Sequence, residues 1–373
     1  MSANWQTRPF EDCIEKVSYT TKIQRKDFLP EGAFPVISQE EAFINGFWDE
    51  EVDLFKVVRP LVVFGDHTKV LKYVDFDFVL GADGVKLLPP RDFLSPRFFF
   101  YFLQSIDLDS LGYARHYRLL KELEIRYPAL PEQHRIVGIL DEAFDGIATA
   151  KANAEKNLQN ARALFESHLQ SVFTNMGDGW ASKTIAGVCT LRSGTTVSAA
   201  LEKCAGDLPY LKVADMAHEG NETEIFSSSR FLNKTDIGKN SVLPAGTTIF
   251  PKRGGSILTN KKRLTAVPIC ADLNIMGVIP GESILPKYLF FYFVNVDMRQ
   301  IGSGSSIPQI NNYDIEPLKI SFPLQLAEQA KLVKKLDSLS EETQRLESLY
   351  QRKLTALDEL KKSLLHQAFS GAL

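Results

Sequence analysis

A stretch near the middle of this chain, Glu132 to Phe173, returns without a gap as Glu328 to Phe369. One constant offset pairs Glu132-Gln133 with Glu328-Gln329, Asp141 with Asp337, Val137 with Val333 and Leu140 with Leu336. It also pairs Leu158 with Leu354, Leu169 with Leu365 and Phe173 with Phe369. An ungapped repeat of this length limits the chain to architectures in which one scaffold occurs twice.

Both copies read as helix. Val137, Leu140, Phe144, Ile147, Ala154, Leu158, Ala161, Phe165 and Val172 follow an alternating three-four spacing, which keeps one apolar stripe toward a partner helix. Lys151 and His168 interrupt that seam. The second copy carries a less regular stripe through Leu332, Leu336, Leu339, Leu346, Tyr350, Leu354, Leu357 and Leu364, interrupted by Thr343. Gly138 and Gly146 weaken the first copy's early turns, each by roughly 1 kcal/mol against Ala. A long helix with one apolar stripe needs a partner, and each copy is the matching candidate for the other. The expected arrangement is an antiparallel pair that places the rest of the chain about an approximate two-fold axis. That symmetry suits duplex DNA or a pair of identical subunits.

The remaining residues form two globular blocks. The first runs to about residue 130, with strand-like stretches at Phe34–Ile37, Val57–Phe64, Val70–Val79 and Val85–Leu88, punctuated by Pro and Gly. An aromatic run, Pro96-Arg97-Phe98-Phe99-Phe100-Tyr101-Phe102-Leu103, predicts a buried helix. Pro128 and Pro131 mark entry to the first long helix. After Gly177-Asp178-Gly179 the second block repeats the first: Trp180 aligns with Trp5, Leu208–Lys212 with Phe34–Ser38, and Pro286–Phe293 with the aromatic run. The expected division is therefore 1–130, 131–177, 178–325 and 326–373, an α+β chain of globule, helix, globule, helix.

Composition narrows the classes. At 373 residues and a net charge of −3, the chain has room for two or three domains and is not a wholly basic nucleic-acid binder. Local basic patches remain compatible with that sum. No apolar run reaches membrane-spanning length and no signal segment opens the chain, so a cytoplasmic protein without membrane association is expected. Cys13, Cys189, Cys204 and Cys270 form no CxxC pair, which points away from zinc and disulfide frameworks.

These features resemble the specificity subunit of type I restriction-modification enzymes, over nearly the whole chain. Ala129-Leu130-Pro131-Glu132-Gln133 onward, with Ala154–Leu158, and Leu326-Ala327-Glu328-Gln329 onward look like the family's two conserved helical regions. Pro35–Gln39, Asn45-Gly46-Phe47 and Phe64–Thr68 resemble one kind of target recognition domain; Phe250–Gly255 and Gly302–Ser306 resemble loops of another. The resemblance implies a chain without catalysis of its own, each recognition domain reading one half of an asymmetric, split DNA site. The helices would set the spacer and dock two methyltransferase (M) subunits that methylate adenine. S-adenosylmethionine, ATP and Mg would belong to partner subunits, the ATP to added restriction (R) subunits, and no cofactor to this chain. One departure is that Tyr19-Thr20-Thr21-Lys22 stands where the second domain has Gly194-Thr195-Thr196.

Absent motifs agree with a non-catalytic role. The sequence has no Gly-x4-Gly-Lys-Ser/Thr, no Gly-x-Gly-x-x-Gly and no Asn/Asp-Pro-Pro-aromatic motif. Glu359-Leu360-Lys361 has nuclease-like spacing but falls on a long helix, where a solvated face is the simpler reading. The leading DNA candidates are Lys252, Arg253 and Gly254, followed by Lys261, Lys262 and Arg263. Glycine lets the backbone approach closely, and arginine can hold a guanine edge with two hydrogen bonds. Thr195, Ser303 and Ser305 belong to the same domain's candidate loops. In the first domain the comparable clusters are Lys22, Arg25 and Lys26, and Arg115, His116 and Arg118. For these, scattered surface charge is nearly as good an account. Asp66-His67-Thr68 reads as a tight turn rather than part of a catalytic set, and the aromatic runs read as core. The alternative to DNA reading is a coiled-coil interaction scaffold whose globules bind proteins.

Overall fold

The computed structural model describes residues 5–82, 84–109, 112, 114–301 and 308–373. Contacts divide the chain into two compact units, Met1–Glu155 with Gln351–Leu373, and Lys156–Tyr350. Each unit combines one globule with parts of two long helices, Leu130–Thr174 and Leu326–Ser370.

The helices run antiparallel within each unit. In the first, Arg135 donates to the Leu373 carbonyl at 3.0 Å and Lys151 pairs with Asp358 at 2.7 Å. In the second, Arg162 pairs with Glu347 at 2.6 Å, and Leu169 shares a core cluster with Leu336. Gly138 and Gly146 do not interrupt the first helix. Every position of both expected stripes is buried or half-buried. A run of buried positions falls at sevens, Gln133, Leu140, Ile147, Ala154 and Ala161 on one helix and Gln329, Leu336 and Thr343 on the other, with Ile136, Leu169, Leu365 and Ala368 buried beside it. That interval keeps one face toward a partner over many turns.

The two globules share an architecture. In the first, Phe34–Ile37 lies parallel to Phe78–Gly81 and antiparallel to Gly46–Trp48, while Leu54–Phe55 and Lys22–Ile23 also pair with Phe78–Gly81. A second sheet has the order Leu71–Val74, Leu61–Gly65, Val85–Leu88. In the second globule, Leu208–Leu211 lies parallel to Ile269–Ala271 and antiparallel to Phe231–Leu232, and Val242–Leu243 completes that sheet. Its companion sheet has the order Cys189–Ser193, Ile275–Pro280, Thr248–Pro251, Arg263–Thr265, Glu224–Ile225. The single strand expected over 70–79 is two strands. Asp77 stands between them and accepts a hydrogen bond from the Val57 amide at 2.7 Å, turning the chain where an unbroken strand was expected.

A two-stranded ladder closes each globule just before its helix: Gln6–Pro9 with Glu124–Tyr127, and Trp180–Thr184 with Lys319–Pro323. The aromatic runs form Pro96–Ser105 and Pro286–Asn295, and they are core. Phe98, Phe99, Tyr288 and Phe293 are fully buried. Proline opens both helices, where its missing N–H costs nothing. In the first unit Phe98 and Phe102 meet Phe369 edge-on; in the second Tyr288 and Tyr292 meet Phe173 in the same way. Phe173 and Phe369 are equivalent positions of the repeat.

Candidate nucleic-acid interface

In the first globule, segments distant in sequence are tied together at the strand ends. The turn after Leu61–Gly65 presents Asp66, whose amide donates to Gly84 O and whose carbonyl accepts from the His116 amide at 2.7 Å. Asp66 Oδ1 also accepts from the Tyr117 amide at 2.7 Å. Gln39 binds the same turn, accepting from Thr68 Oγ1 at 2.6 Å through its carbonyl and from the His67 amide through its side chain. Asp66-His67-Thr68 is thus a turn, as its residue types indicate. Lys69 donates to Leu108 O at 3.0 Å, Ala82 donates to Ile23 O, and Arg25 pairs with Glu40 at 3.2 Å.

These ties gather Lys22, Arg25, Lys26 and Arg115 onto one group of loops, with Arg118 one turn further on an adjoining short helix, Tyr117–Lys121. All five are exposed. Lys22 lies over the Tyr19 ring at 4.7 Å. His116 is different: only 1 % exposed, with Nδ1 at 3.0 Å from Asp66 O, it fastens the loops together and presents no edge to a ligand.

One residue missed by sequence reading supports another loop of this globule. Lys72 is buried, and its ammonium donates to Ala42 O, Phe43 O and Asn45 Oδ1, fixing the loop that carries the exposed Phe43 and Ile44. Burial pulls its pKa down to about 8, with the Glu40 charge opposing. An alternating strand such as Leu71–Val74 reveals that one face points inward, but not that a lysine there finds three oxygens.

The second globule has its own cluster, built from 193–195, 252–254, 271–275 and 308–310. Thr195 donates its amide to Ala271 O, Lys252 to Asn274 O, Ile310 to Lys252 O, and Gly254 to Pro308 O. Gly194 is required by close approach: a Cβ there would lie 2.0 Å from the Asp272 carbonyl oxygen. Gly254 has φ +67°, a backbone region glycine enters without strain. Arg253 is exposed and bridges to Gln309, while Thr195 is half-buried elsewhere in the cluster.

Lys252 points inward. It is 8 % exposed, donates to Ser193 Oγ at 2.7 Å, and has a pKa lowered first by burial and then by Arg253. Its role is to support the loop on which Arg253 stands. Ser303 and Ser305 lie outside the described residues.

Lys261, Lys262 and Arg263 separate from that cluster. They line a cavity of about 400 Å³ with Phe165, Phe291 and Gln344, and neither Lys252 nor Arg253 borders it. Lys262 is buried, donating to Asn260 Oδ1 at 2.7 Å and Val296 O at 2.6 Å, and burial lowers its pKa to about 8. Arg263 donates to Asn221 O and Lys262 O. The basic residues read together as the leading DNA candidate are therefore two groups, and in the second of them Lys262 and Arg263 donate to backbone carbonyls.

Another missed network stiffens the same globule. Asp215 is fully buried and accepts from Ser229 Oγ at 2.7 Å, the Ser229 amide and the Lys212 amide. Burial would raise its pKa, but these donors outweigh it and hold the carboxyl below its ordinary value. Arg230 bridges Asp215 and Glu202, and Lys212 binds Glu202 at 2.8 Å. Among the described residues no group of three or more His, Cys, Asp or Glu is placed to hold a metal ion, and no helix is long and apolar enough to cross a membrane.

Two similar globules, each with its own loop cluster and each carried on a coiled-coil helix, define a twice-built recognition subunit. Residues 2–159 and 177–355 match the type I restriction modification DNA specificity domain, and the chain belongs to that family. Membership displaces the interaction-scaffold alternative: this is a DNA sequence-recognition subunit. The chain is 25% identical over 354 residues to the type I restriction enzyme EcoR124I/EcoR124II specificity subunit of Escherichia coli, covering 87% of this chain and 84% of that one. Its fold matches a chain from work on the structural basis underlying complex assembly and conformational transition of the type I R-M system. There the TM-score is 0.76 at 16% identity, over 99% of this chain and 98% of that one. The HsdS subunit from Thermoanaerobacter tengcongensis matches with a TM-score of 0.56 at 17% identity, over 99% and 97%.

Proposed function

We propose that the first globule, through Lys22, Arg25, Lys26, Arg115 and Arg118, and the second, through Thr195, Arg253 and Gly254, each read one half of a split, asymmetric DNA site. The division into 1–130, 131–177, 178–325 and 326–373 then separates readers from spacers. The two helical segments set the gap between half-sites and dock two adenine-methyltransferase subunits, which bring S-adenosylmethionine. Restriction subunits, where the host encodes them, add ATP- and Mg-dependent cleavage. This chain contributes no chemistry and works in the cytoplasm, where the DNA is.

The observation that carries this reading is the convergence, in the first globule, of exposed Lys22, Arg25, Lys26 and Arg115, far apart in sequence, onto one group of strand-end loops, with exposed Arg253 standing on the second globule's own loop cluster. Exposed cations on such a surface fix register through phosphates, and arginine reads base edges. Lys261, beside the helices, serves a phosphate outside the half-site.

The test is long-read detection of methylated adenine in cells expressing this chain with its neighbouring methyltransferase, against cells lacking the chain. The expected result is a split motif that vanishes without it. No motif, with both proteins soluble and associated, counts against the reading.

A further inference from the structure

The repeat preserves one side chain whose geometry is the same in both units. Gln133 and Gln329 are each fully buried four residues into their helices. Gln133 Oε1 accepts from the Ser95 amide at 2.7 Å, and its Nε2 donates to Phe93 O at 2.9 Å and Pro128 O at 2.8 Å. Gln329 Oε1 accepts from the Leu285 amide at 2.8 Å, and its Nε2 donates to Ser283 O at 2.9 Å and Pro323 O at 2.8 Å. In both units the amide joins the loop before the aromatic helix to the strand that enters the long helix.

A second contact recurs two helical turns on, roughly 12 Å along the axis. Asp141 takes Arg97 at 3.1 Å and the Tyr101 hydroxyl; Asp337 takes Lys287 at 3.0 Å. One directional contact leaves a pivot. Two on one helix face, separated along its axis, remove it.

We propose that Gln133 with Asp141, and Gln329 with Asp337, are positioning residues that fix the angle at which each recognition domain leaves its helix, and thereby the spacer length the protein accepts. This rests on the split-site reading above. Apolar packing resists separation of globule and helix but is non-directional. The amide adds orientation, because its acceptor and both donors are committed to three separate backbone groups.

The experiment uses the full complex of this chain with its methyltransferase subunits and a set of duplexes with both half-sites fixed and the spacer varied one base pair at a time. Wild type must first select one spacing; absence of any preference sinks the split-site reading itself. Gln133→Met and Gln329→Met then lower discrimination against neighbouring spacings by about fivefold each, the equilibrium counterpart of a lost hydrogen bond. Base preference within each half-site stays unchanged. A uniform loss of affinity at every spacing, with the preference intact, overturns the proposal by showing the amides to be merely structural. Should Gln133→Met fail to assemble, Asp141→Asn, at a half-exposed position, decides in the same way: relaxed spacing supports the clamp and unchanged spacing refutes it.

Discussion

The two globules are alike at the base and different at the loops. At the base, Gln133 and Gln329 make corresponding hydrogen bonds, Leu140 and Leu336 are both fully buried, and Phe369 and Phe173 meet equivalent aromatic rings. At the loops the correspondence ends. The first globule ties its segments with a buried His116 and Lys72, the second with Lys252, Gly194 and a buried Asp215. A common mount thus carries two unlike surfaces, as expected of a subunit that reads two unlike sequences.

Core truncation tests the common mount most severely. Leu140→Ala and Leu336→Ala should each cost about 2–5 kcal/mol in urea melts. Losses differing by more than about 2 kcal/mol would show that the mounts are not energetically equivalent, since cavities of similar size should cost similar amounts. Next in size is the difference between loops. Arg115→Ala and Arg253→Ala should each lose about 1–3 kcal/mol of binding at one half-site only. Competition with duplexes altered in either half measures this, and equal losses at both halves would end the idea of separate readers.

Two buried lysines sharpen the comparison through pH. Lys72 and Lys262, one per globule, have pKa values lowered to about 8 by burial. An unfolded lysine holds its proton to about 10.4. Between about 8 and 10 the unfolded chain therefore binds more protons, and stability rises with pH. Thermal melts across that range should show wild type gaining on Lys72→Met and on Lys262→Met. A flat difference would mean that neither ammonium is desolvated. Smallest of all, Lys151→Ala and Arg162→Ala remove half-exposed interhelical ion pairs and should cost less than about 1 kcal/mol each in the same melts.

The repeat and its helices were legible because their signals are periodic. Glu132 to Phe173 lies inside Leu130–Thr174, and Glu328 to Phe369 inside Leu326–Ser370. The aromatic runs were legible as core because a continuous apolar surface has nowhere else to go. The partners of polar side chains were not. Lys262 beside Lys261 and Arg263 reads as a solvated charge, yet its acceptor is the Val296 carbonyl, brought near only by the fold. Gln133 stood out as a match between repeats, but its three backbone partners lie in a loop and a strand end that sequence cannot dock. Lys252 carried the strongest local signal for DNA and is held inward by Ser193, a residue from a different strand.

The first unit is completed by Gln351–Leu373, and its core includes Leu365 and Ala368. On the ribosome, the helix that carries Phe98 and Phe102 emerges early, but their partner Phe369 emerges only after the whole of Lys156–Tyr350 has been made. At about 5–20 residues per second that wait is roughly ten to forty seconds. During it, a strip of aromatic side chains lacks its natural cover and invites chaperones or aggregation. The unit begun earlier of the two is therefore the one completed later, because the other is made between its two parts.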